Sequence, residues 1–160
     1  MTMAIEHAPS AVHRGDDDLP WIDDGRGTQT KVLVAKLREG LFIVRTRFEP
    51  GVVVQTHKHT GAVYAYTSSG SWHYLESEYV NRAGSFLYEP AGSIHTLVVP
   101  ASNTEVTDVW FQIYGANLNL AEDGSVESVT DAASVLSYYR RRCAKAGLAD
   151  PPVITDDTQG

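Results

Sequence analysis

The feature that most constrains this chain is the regular alternation of short β-rich runs with Gly- and Pro-containing breaks between residues 31 and 114. The runs are rich in Val, Tyr, Phe, Trp and Thr, which pack well on a pleated surface, and no helical 3.6-residue period extends through this region. Many short strands at such spacing predict an all-β barrel or sandwich. The predicted strands are Lys31–Leu37, Leu41–Phe48, Val52–His57, Ala62–Thr67, Trp72–Leu75, Ser85–Glu89, His95–Val99 and Val106–Tyr114.

The two ends of the chain differ from this middle. Near the N-terminus an apolar segment, Leu19–Ile22, lies between acidic clusters and is predicted to strap across its own barrel or a neighbouring subunit. Near the C-terminus Thr130-Asp131 can supply the N-cap of a helix whose apolar residues recur at helical spacing before Gly147. The sequence therefore predicts an arm over residues 1–27, a barrel over 28–129, and a helix and tail over 130–160.

The chain carries a net negative charge, and its excess of acidic residues lies in the segments near its two ends. The formal net charge is −7, whereas residues 28–115 hold seven basic and seven acidic side chains. An acidic chain argues against a nucleic-acid partner. No stretch approaches the ~20 apolar residues of a membrane span, and no apolar segment precedes the acidic run as in a secretory signal. We therefore expect a cytoplasmic protein that binds neither nucleic acid nor membrane. The single cysteine, Cys143, excludes an intrachain disulfide and a Cys-based zinc site.

Three histidines are the candidates for chemistry. His57 and His59 flank Lys58 at the end of a β run, and residues two apart on a strand point to the same face. His95 follows a turn-rich segment that can return it to the same end of a barrel. Three imidazoles on one metal leave positions open for water, substrate or dioxygen, as in a catalytic site. From the pair alone, solvated surface histidines remain an equal alternative.

The spacing around these histidines resembles the two motifs of the cupin superfamily. Gly51, five residues, His57, one residue, His59, then ten residues to Gly70 resembles the first motif. Gly84, five residues, Pro90, Gly92, two residues, then His95 resembles the second. The resemblance implies a single-domain double-stranded β-helix, or jelly-roll barrel, with metal ligands His57, His59 and His95. The chain departs from the motifs in two places. A Glu usually follows the second His after three or four residues, where this chain has Val63 and Tyr64, and Val99 replaces the usual Asn.

Further stretches are similar to one branch of that superfamily, the 2,4′-dihydroxyacetophenone dioxygenases, with acetylacetone-cleaving dioxygenases and ChrR-type anti-sigma cupin domains as relatives. The resemblance implies a mononuclear non-haem Fe(II) dioxygenase that cleaves a C–C bond next to a carbonyl, with a small-molecule ketone and O2 as substrates. An acetylacetone-type β-diketone dioxygenase and a non-enzymatic Zn-binding sensor remain alternatives, and Zn or Ni could replace iron. We also expect a homodimer or homotetramer. The stretches are Leu19–Trp21, Lys31–Leu33, Glu49–Gly51, Tyr88–Thr96 and Asp123–Gly124.

Several side chains near the histidines are candidates for further roles. Glu89 is predicted to orient a ligand histidine, accept a substrate proton or supply a fourth metal ligand, with an exposed rim carboxylate as the alternative. Tyr74 is predicted to contact substrate if it faces inward, or else to pack in the barrel. His73 takes the other face of the same strand. Tyr64 and Tyr66 are expected to form part of the barrel wall.

Overall fold

A computed structural model describes residues 8–160, which form fourteen strands and one α-helix. The first seven residues of the predicted arm lie outside the described residues. The elements are β1 (Ile22–Asp23), β2 (Thr28–Lys36), β3 (Leu41–Phe48), β4 (His57–His59), β5 (Val63–Ser69), β6 (Ser71–Tyr74), β7 (Asn81–Arg82), β8 (Phe86–Glu89), β9 (Ile94–His95), β10 (Leu97–Val98), β11 (Thr107–Tyr114), β12 (Asn117–Leu120), β13 (Val126–Thr130), α1 (Ala132–Lys145) and β14 (Ile154–Thr155).

The strands form one large sheet and two smaller ones. The large sheet has the order β1-β2-β3-β11-β5-β8, with β14 added beside β2. The smaller sheets have the orders β10-β6-β7 and β13-β12-β4-β9. The pairs are antiparallel apart from β14 with β2, so side chains alternate between the interior and solvent along each strand. One apolar cluster between the layers contains Phe48, Trp72, Tyr74, Leu97 and Val109. The predicted all-β barrel is confirmed.

Two parts of the strand prediction were wrong. Residues 52–56 form no continuous strand: Val53 makes an isolated bridge to Val98, and the flanking backbone hydrogen bonds of Val52 and Val54 do not extend it into a ladder. The neighbouring ladder begins at His57 instead. The β12–β13 hairpin was not predicted, because its half-exposed and exposed residues lack the alternation of buried and polar positions that marks a strand.

The helix and the arm cover one side of the barrel. Asp131 caps α1 by accepting a hydrogen bond from the Ser134 N–H at 2.8 Å, and the Ser134 hydroxyl accepts one from the Asp131 N–H. The Tyr139 hydroxyl donates to the Pro20 carbonyl at 2.6 Å, which ties the helix to the arm. Leu19 joins the same buried cluster, so the arm packs on the barrel of its own chain. Within residues 8–160, no helix is long and apolar enough to cross a membrane.

Candidate metal centre

A tight turn brings the three candidate histidines to one place. His57 and His59 are buried on one face of β4, while Lys58 between them is exposed. The Gly92 N–H donates to the His59 carbonyl at 2.7 Å, and the His59 N–H donates to the Ser93 carbonyl at 3.0 Å. Gly92 has φ +88°, which a side chain would make unfavourable. This turn lets β9 pair with β4 so that His95 lies directly opposite His57.

The imidazole rings consequently form a compact group. Their centroids are 4.8 Å apart for His57 and His59, 5.5 Å for His59 and His95, and 6.3 Å for His57 and His95. The Nδ1 atom of His57 lies 2.8 Å from the Gln55 carbonyl oxygen. Because a carbonyl only accepts, this nitrogen carries the proton and leaves Nε2 with the lone pair that binds metals. Gln55 was not a candidate in the sequence, since a carbonyl contact has no residue-type signal.

A buried carboxylate joins the group. Glu89, at the end of β8, is 2% exposed, so it is not a rim residue. Its Oε2 lies 3.1 Å from His59 Nε2, and its Oε1 lies 3.9 Å from His95 Nε2. The possible ligand atoms of His59, Glu89 and His95 lie within 4.8 Å of one another, a group that can hold a metal ion. His57 is not among those three residues, although its ring lies beside that of His59 with centroids 4.8 Å apart.

Unpaired polar atoms test whether this group suits a metal. His59 Nδ1 and Nε2, Glu89 Oε2 and His95 Nε2 are buried without a hydrogen-bond partner among the described residues. Buried polar atoms without partners are rare, and an unseen ion is one of their ordinary explanations. Imidazole nitrogens with a carboxylate oxygen are ligands that Zn and Fe(II) accept in proteins. The donor set therefore fits a divalent transition metal.

The charge state of the group follows from its burial. Burial lowers the pKa of His57 and of His95, so both imidazoles remain neutral near pH 7. Burial acts to raise the pKa of Glu89, but His59 and Tyr74 beside it bring that pKa below its ordinary value, so the carboxyl is ionised. Neutral imidazoles with one carboxylate reduce the charge of a bound divalent ion.

Tyr74 contacts both Glu89 and His95 from inside the barrel. Its hydroxyl donates to Glu89 Oε1, and its ring stacks on that of His95 with centroids 4.1 Å apart and an interplanar angle of 15°. Burial, together with the Glu89 charge, raises the pKa of Tyr74 well above its ordinary value, so the phenol stays protonated. His73, on the opposite face of β6, pairs with Val98 and lies apart from the group.

A cavity of about 700 Å³ opens onto the group. His57, His59, Tyr74 and Glu89 line one part of it. Most of the exposed lining is apolar, with side chains from β3, β10, β11 and the segment before β4. These residues include Val44, Phe48, Val52, Val54, Leu97 and Phe111. Tyr64 and Tyr66, expected in the barrel wall, point outward instead and are exposed, because β5 buries its other face.

Comparison with known proteins agrees with this architecture. A cupin-like protein of unknown function from Ralstonia eutropha JMP134 is 30% identical, with a TM-score of 0.76 over 92% of this chain and 97% of its own. An RmlC-like cupin protein from the same organism is 24% identical, with a TM-score of 0.86 over 92% and 96%. An acetylacetone dioxygenase from Acinetobacter johnsonii is 14% identical, with a TM-score of 0.70 over 82% and 91%, which shows a shared fold only. No curated protein matches the sequence.

The family follows from the sequence match together with the barrel. Residues 10–113 match the model of the ChrR cupin-like domain, and this range includes β1 to β10, most of β11 and all four side chains of the group. The jelly-roll arrangement of antiparallel sheets is the one that its cupin relatives share. This chain therefore belongs to the ChrR cupin-like domain family.

Proposed function

We propose that this chain is a mononuclear non-haem Fe(II) dioxygenase that cleaves the C–C bond beside the carbonyl of an aryl 2-hydroxyketone. One observation carries the proposal: unpaired imidazole and carboxylate atoms meet at a large, mainly apolar cavity. A purely structural metal site has no need of such a cavity. The fold shared with an acetylacetone dioxygenase supports the reaction class by analogy.

The size of the cavity supports an aryl substrate. A volume of about 700 Å³ lies in the range of roughly 300–1,000 Å³ that small-molecule sites occupy. Acetylacetone would fill only a small part of it. The aromatic rings of Phe48 and Phe111 and the side chains of Val52 and Val54 offer an apolar wall for an aryl ring. The structure thus favours an aryl ketone over a small β-diketone.

The three imidazoles would hold the metal. When bound, Fe(II) supplies Lewis acidity toward the ketone oxygen and a redox-active centre for O2. Gln55 fixes the tautomer of His57 through its carbonyl, and Tyr74 fixes the plane of His95 by stacking. The apolar walls exclude water from the bound ketone. These contacts hold ligands and substrate in one geometry before the reaction begins.

Glu89 would take the proton that the hydroxyketone loses on binding. Its Oε2 lies 3.1 Å from His59 Nε2 but forms no hydrogen bond with the described residues, while Tyr74 donates to Oε1. Because the pKa of Glu89 is held below its ordinary value, the carboxyl is in the form that accepts a proton. Tyr74, still protonated, keeps the carboxylate from rotating away. Glu89 and Tyr74 are therefore the proposed catalytic side chains beside the ligands.

Oxygen consumption tests the proposal. Fe(II)-loaded protein is mixed with 2,4′-dihydroxyacetophenone in an oxygen electrode, with acetylacetone as a second substrate and Zn-loaded protein as a control. We expect one O2 consumed per hydroxyketone, with one aryl carboxylate and one formate formed, and slower uptake with acetylacetone. Uptake by the iron form alone supports a redox metal. No uptake with any ketone would contradict the enzyme proposal.

A non-enzymatic zinc-binding module is the second candidate. The donor set favours it, since three imidazoles with Glu89 would fill a tetrahedral zinc site completely. The Glu89→Gln variant separates the two functions. Both accounts expect weaker metal binding in this variant, because the only carboxylate beside the imidazoles loses its charge. The dioxygenase account expects O2 uptake by the Fe(II)-loaded wild type and a lower kcat in the metal-saturated variant, whereas the zinc module expects no O2 uptake by either protein.

A further inference from the structure

The outer face of the large sheet carries an exposed aromatic cluster. Tyr64 and Tyr66 on β5 lie directly opposite Tyr88 and Phe86 on β8. Ring centroids are 5.4 Å apart for Tyr64 and Tyr88 and 6.2 Å apart for Tyr64 and Phe86. The exposed fractions are 66% for Phe86, 55% for Tyr88, 48% for Tyr66 and 38% for Tyr64. We call these four side chains the aromatic face.

The arm of the chain covers the neighbouring part of this sheet and leaves the aromatic face open. Trp21 lies over the cations of β2 and β3, at 4.7 Å from Lys31 Nζ and 4.1 Å from Arg47 Cζ. Asp16 of the arm pairs with Arg45 at 2.8 Å. Within residues 8–160, no strand pairs with the outer edge of β8, which ends the sheet. The uncovered region is therefore bounded by the arm on one side and a free edge on the other.

The exposed area of the aromatic face is comparable to the largest apolar patch of a typical monomer. Together the four side chains expose the equivalent of about two whole aromatic residues, or roughly 400 Å² at ~200 Å² each. The largest apolar patch on a typical monomer is roughly 300–600 Å² and is often functional. A standard interface buries about 800 Å² per partner. The aromatic face supplies about half of that area as an apolar centre, and the polar surroundings can supply the rim.

The charge of the face indicates which partner it fits. None of its four side chains is charged, so two copies can meet face to face without opposing like charges. Nucleic acid and anionic lipid would need basic residues there, and the chain as a whole has a net charge of −7. Three of the four residues are tyrosines, which are enriched at protein interfaces. Self-complementarity of this kind is the requirement of a twofold interface.

We propose that a second copy of this chain packs its aromatic face against that of the first about a twofold axis. The two sheets then lie layer against layer, as in a β-sandwich. The interface covers β8 and therefore restricts the movement of the strand that ends in the buried Glu89. Dimerisation does not rest on the proposed function, because the face lies on the opposite side of the sheet from the cavity.

Sedimentation equilibrium over a wide concentration range tests the proposal. We expect the full chain to be a dimer, and Phe86→Glu to weaken the association by at least about 100-fold, because a charge at a desolvated interface centre lacks a partner. Tyr66→Glu is a second variant from the other strand. Val126→Glu is the matched control, since Val126 is also an exposed apolar strand residue but lies on β13. Circular dichroism checks that each variant is folded.

Each outcome decides the question. Dimeric wild type and control with monomeric, folded Phe86→Glu or Tyr66→Glu support the aromatic face as the interface. A wild type that is monomeric throughout, or folded variants that dimerise as the wild type does, would overturn the proposal. A monomer that binds vesicles of neutral phosphatidylcholine would assign the face to a membrane and would also overturn it. Loss of the dimer in Val126→Glu as well would place the interface elsewhere.

Discussion

Glu89 lies directly opposite Val63 in the antiparallel pair of β8 and β5. Val63 is one of the two positions at which the first cupin motif usually carries its glutamate. Both side chains are buried and face the barrel interior. Cβ atoms of directly opposite residues are about 4.5–5.5 Å apart. A carboxylate from the neighbouring strand therefore reaches the part of the barrel where the usual motif glutamate would stand.

This relationship predicts that the carboxylate can be exchanged between the strands. Glu89→Val should weaken metal binding, because the only carboxylate in the described group is lost. Adding Val63→Glu to that variant restores a carboxylate from the opposite position, so most of the lost affinity should return. Isothermal titration with Zn(II) measures both variants. If the double variant is folded and binds metal no better than Glu89→Val, the two positions are not equivalent.

The sequence predicted the fold well because the relevant signals are local. Breaks such as Pro50-Gly51 separate runs with strand-like composition, and the glycines and histidines of two motifs recur at fixed spacing. The hairpin of β12 and β13 was not predicted because it lacks such local signals. Its first strand, β12, is held by pairing with β4, which is distant in the sequence, and the residues of both strands carry little apolar pattern.

The site could be predicted only in part. The i, i+2 spacing of His57 and His59 places both rings on one face, which needs only strand geometry. The role of Glu89 depends on the register of β8 against β5, which no local pattern specifies. The outward direction of Tyr64 and Tyr66 follows from that pairing as well. From the sequence alone, Glu89 could orient a ligand, accept a proton, bind the metal or lie exposed at the rim of the barrel. Its burial in the folded barrel excludes the exposed position.

The metal-free protein should lose stability as the pH falls below the ordinary histidine pKa of 6.5. Burial lowers the pKa of His57 and His95 in the folded state. Between that ordinary value and the lowered ones the unfolded chain binds more protons, so the free energy of unfolding decreases with decreasing pH. Urea unfolding between about pH 5 and pH 8 measures this dependence.

A matched pair of variants isolates the source of that pH dependence. In the double variant His57→Asn with His95→Asn, the decline below the ordinary histidine pKa should become much shallower. His73→Asn should retain it, since His73 lies on the other face of β6. An unchanged decline in the double variant would show that other groups cause it.

The arm should contribute to the stability of the barrel. Leu19 is 2% exposed and packs in the cluster that includes Tyr139 of α1. Leu19→Ala removes buried methyl groups and should cost about 2–5 kcal/mol of unfolding free energy. Leu148→Ala is the matched control, because Leu148 is exposed and should change stability by less than about 0.5 kcal/mol. Equal effects of the two substitutions in chemical denaturation would contradict packing of the arm on its own barrel.

Metal content after loading tests the central claim most directly. The wild type, His57→Ala, His95→Ala and His73→Ala are each loaded anaerobically with Fe(II), passed through a desalting column and measured by mass spectrometry for iron per chain. We predict one iron per chain in the wild type and in His73→Ala. In His57→Ala and His95→Ala we predict affinity lower by at least about 100-fold, which exceeds the 10–100-fold typical of second-shell changes. Iron retained at one per chain in folded His57→Ala and His95→Ala, or no iron in the wild type, would contradict a metal centre built on these histidines.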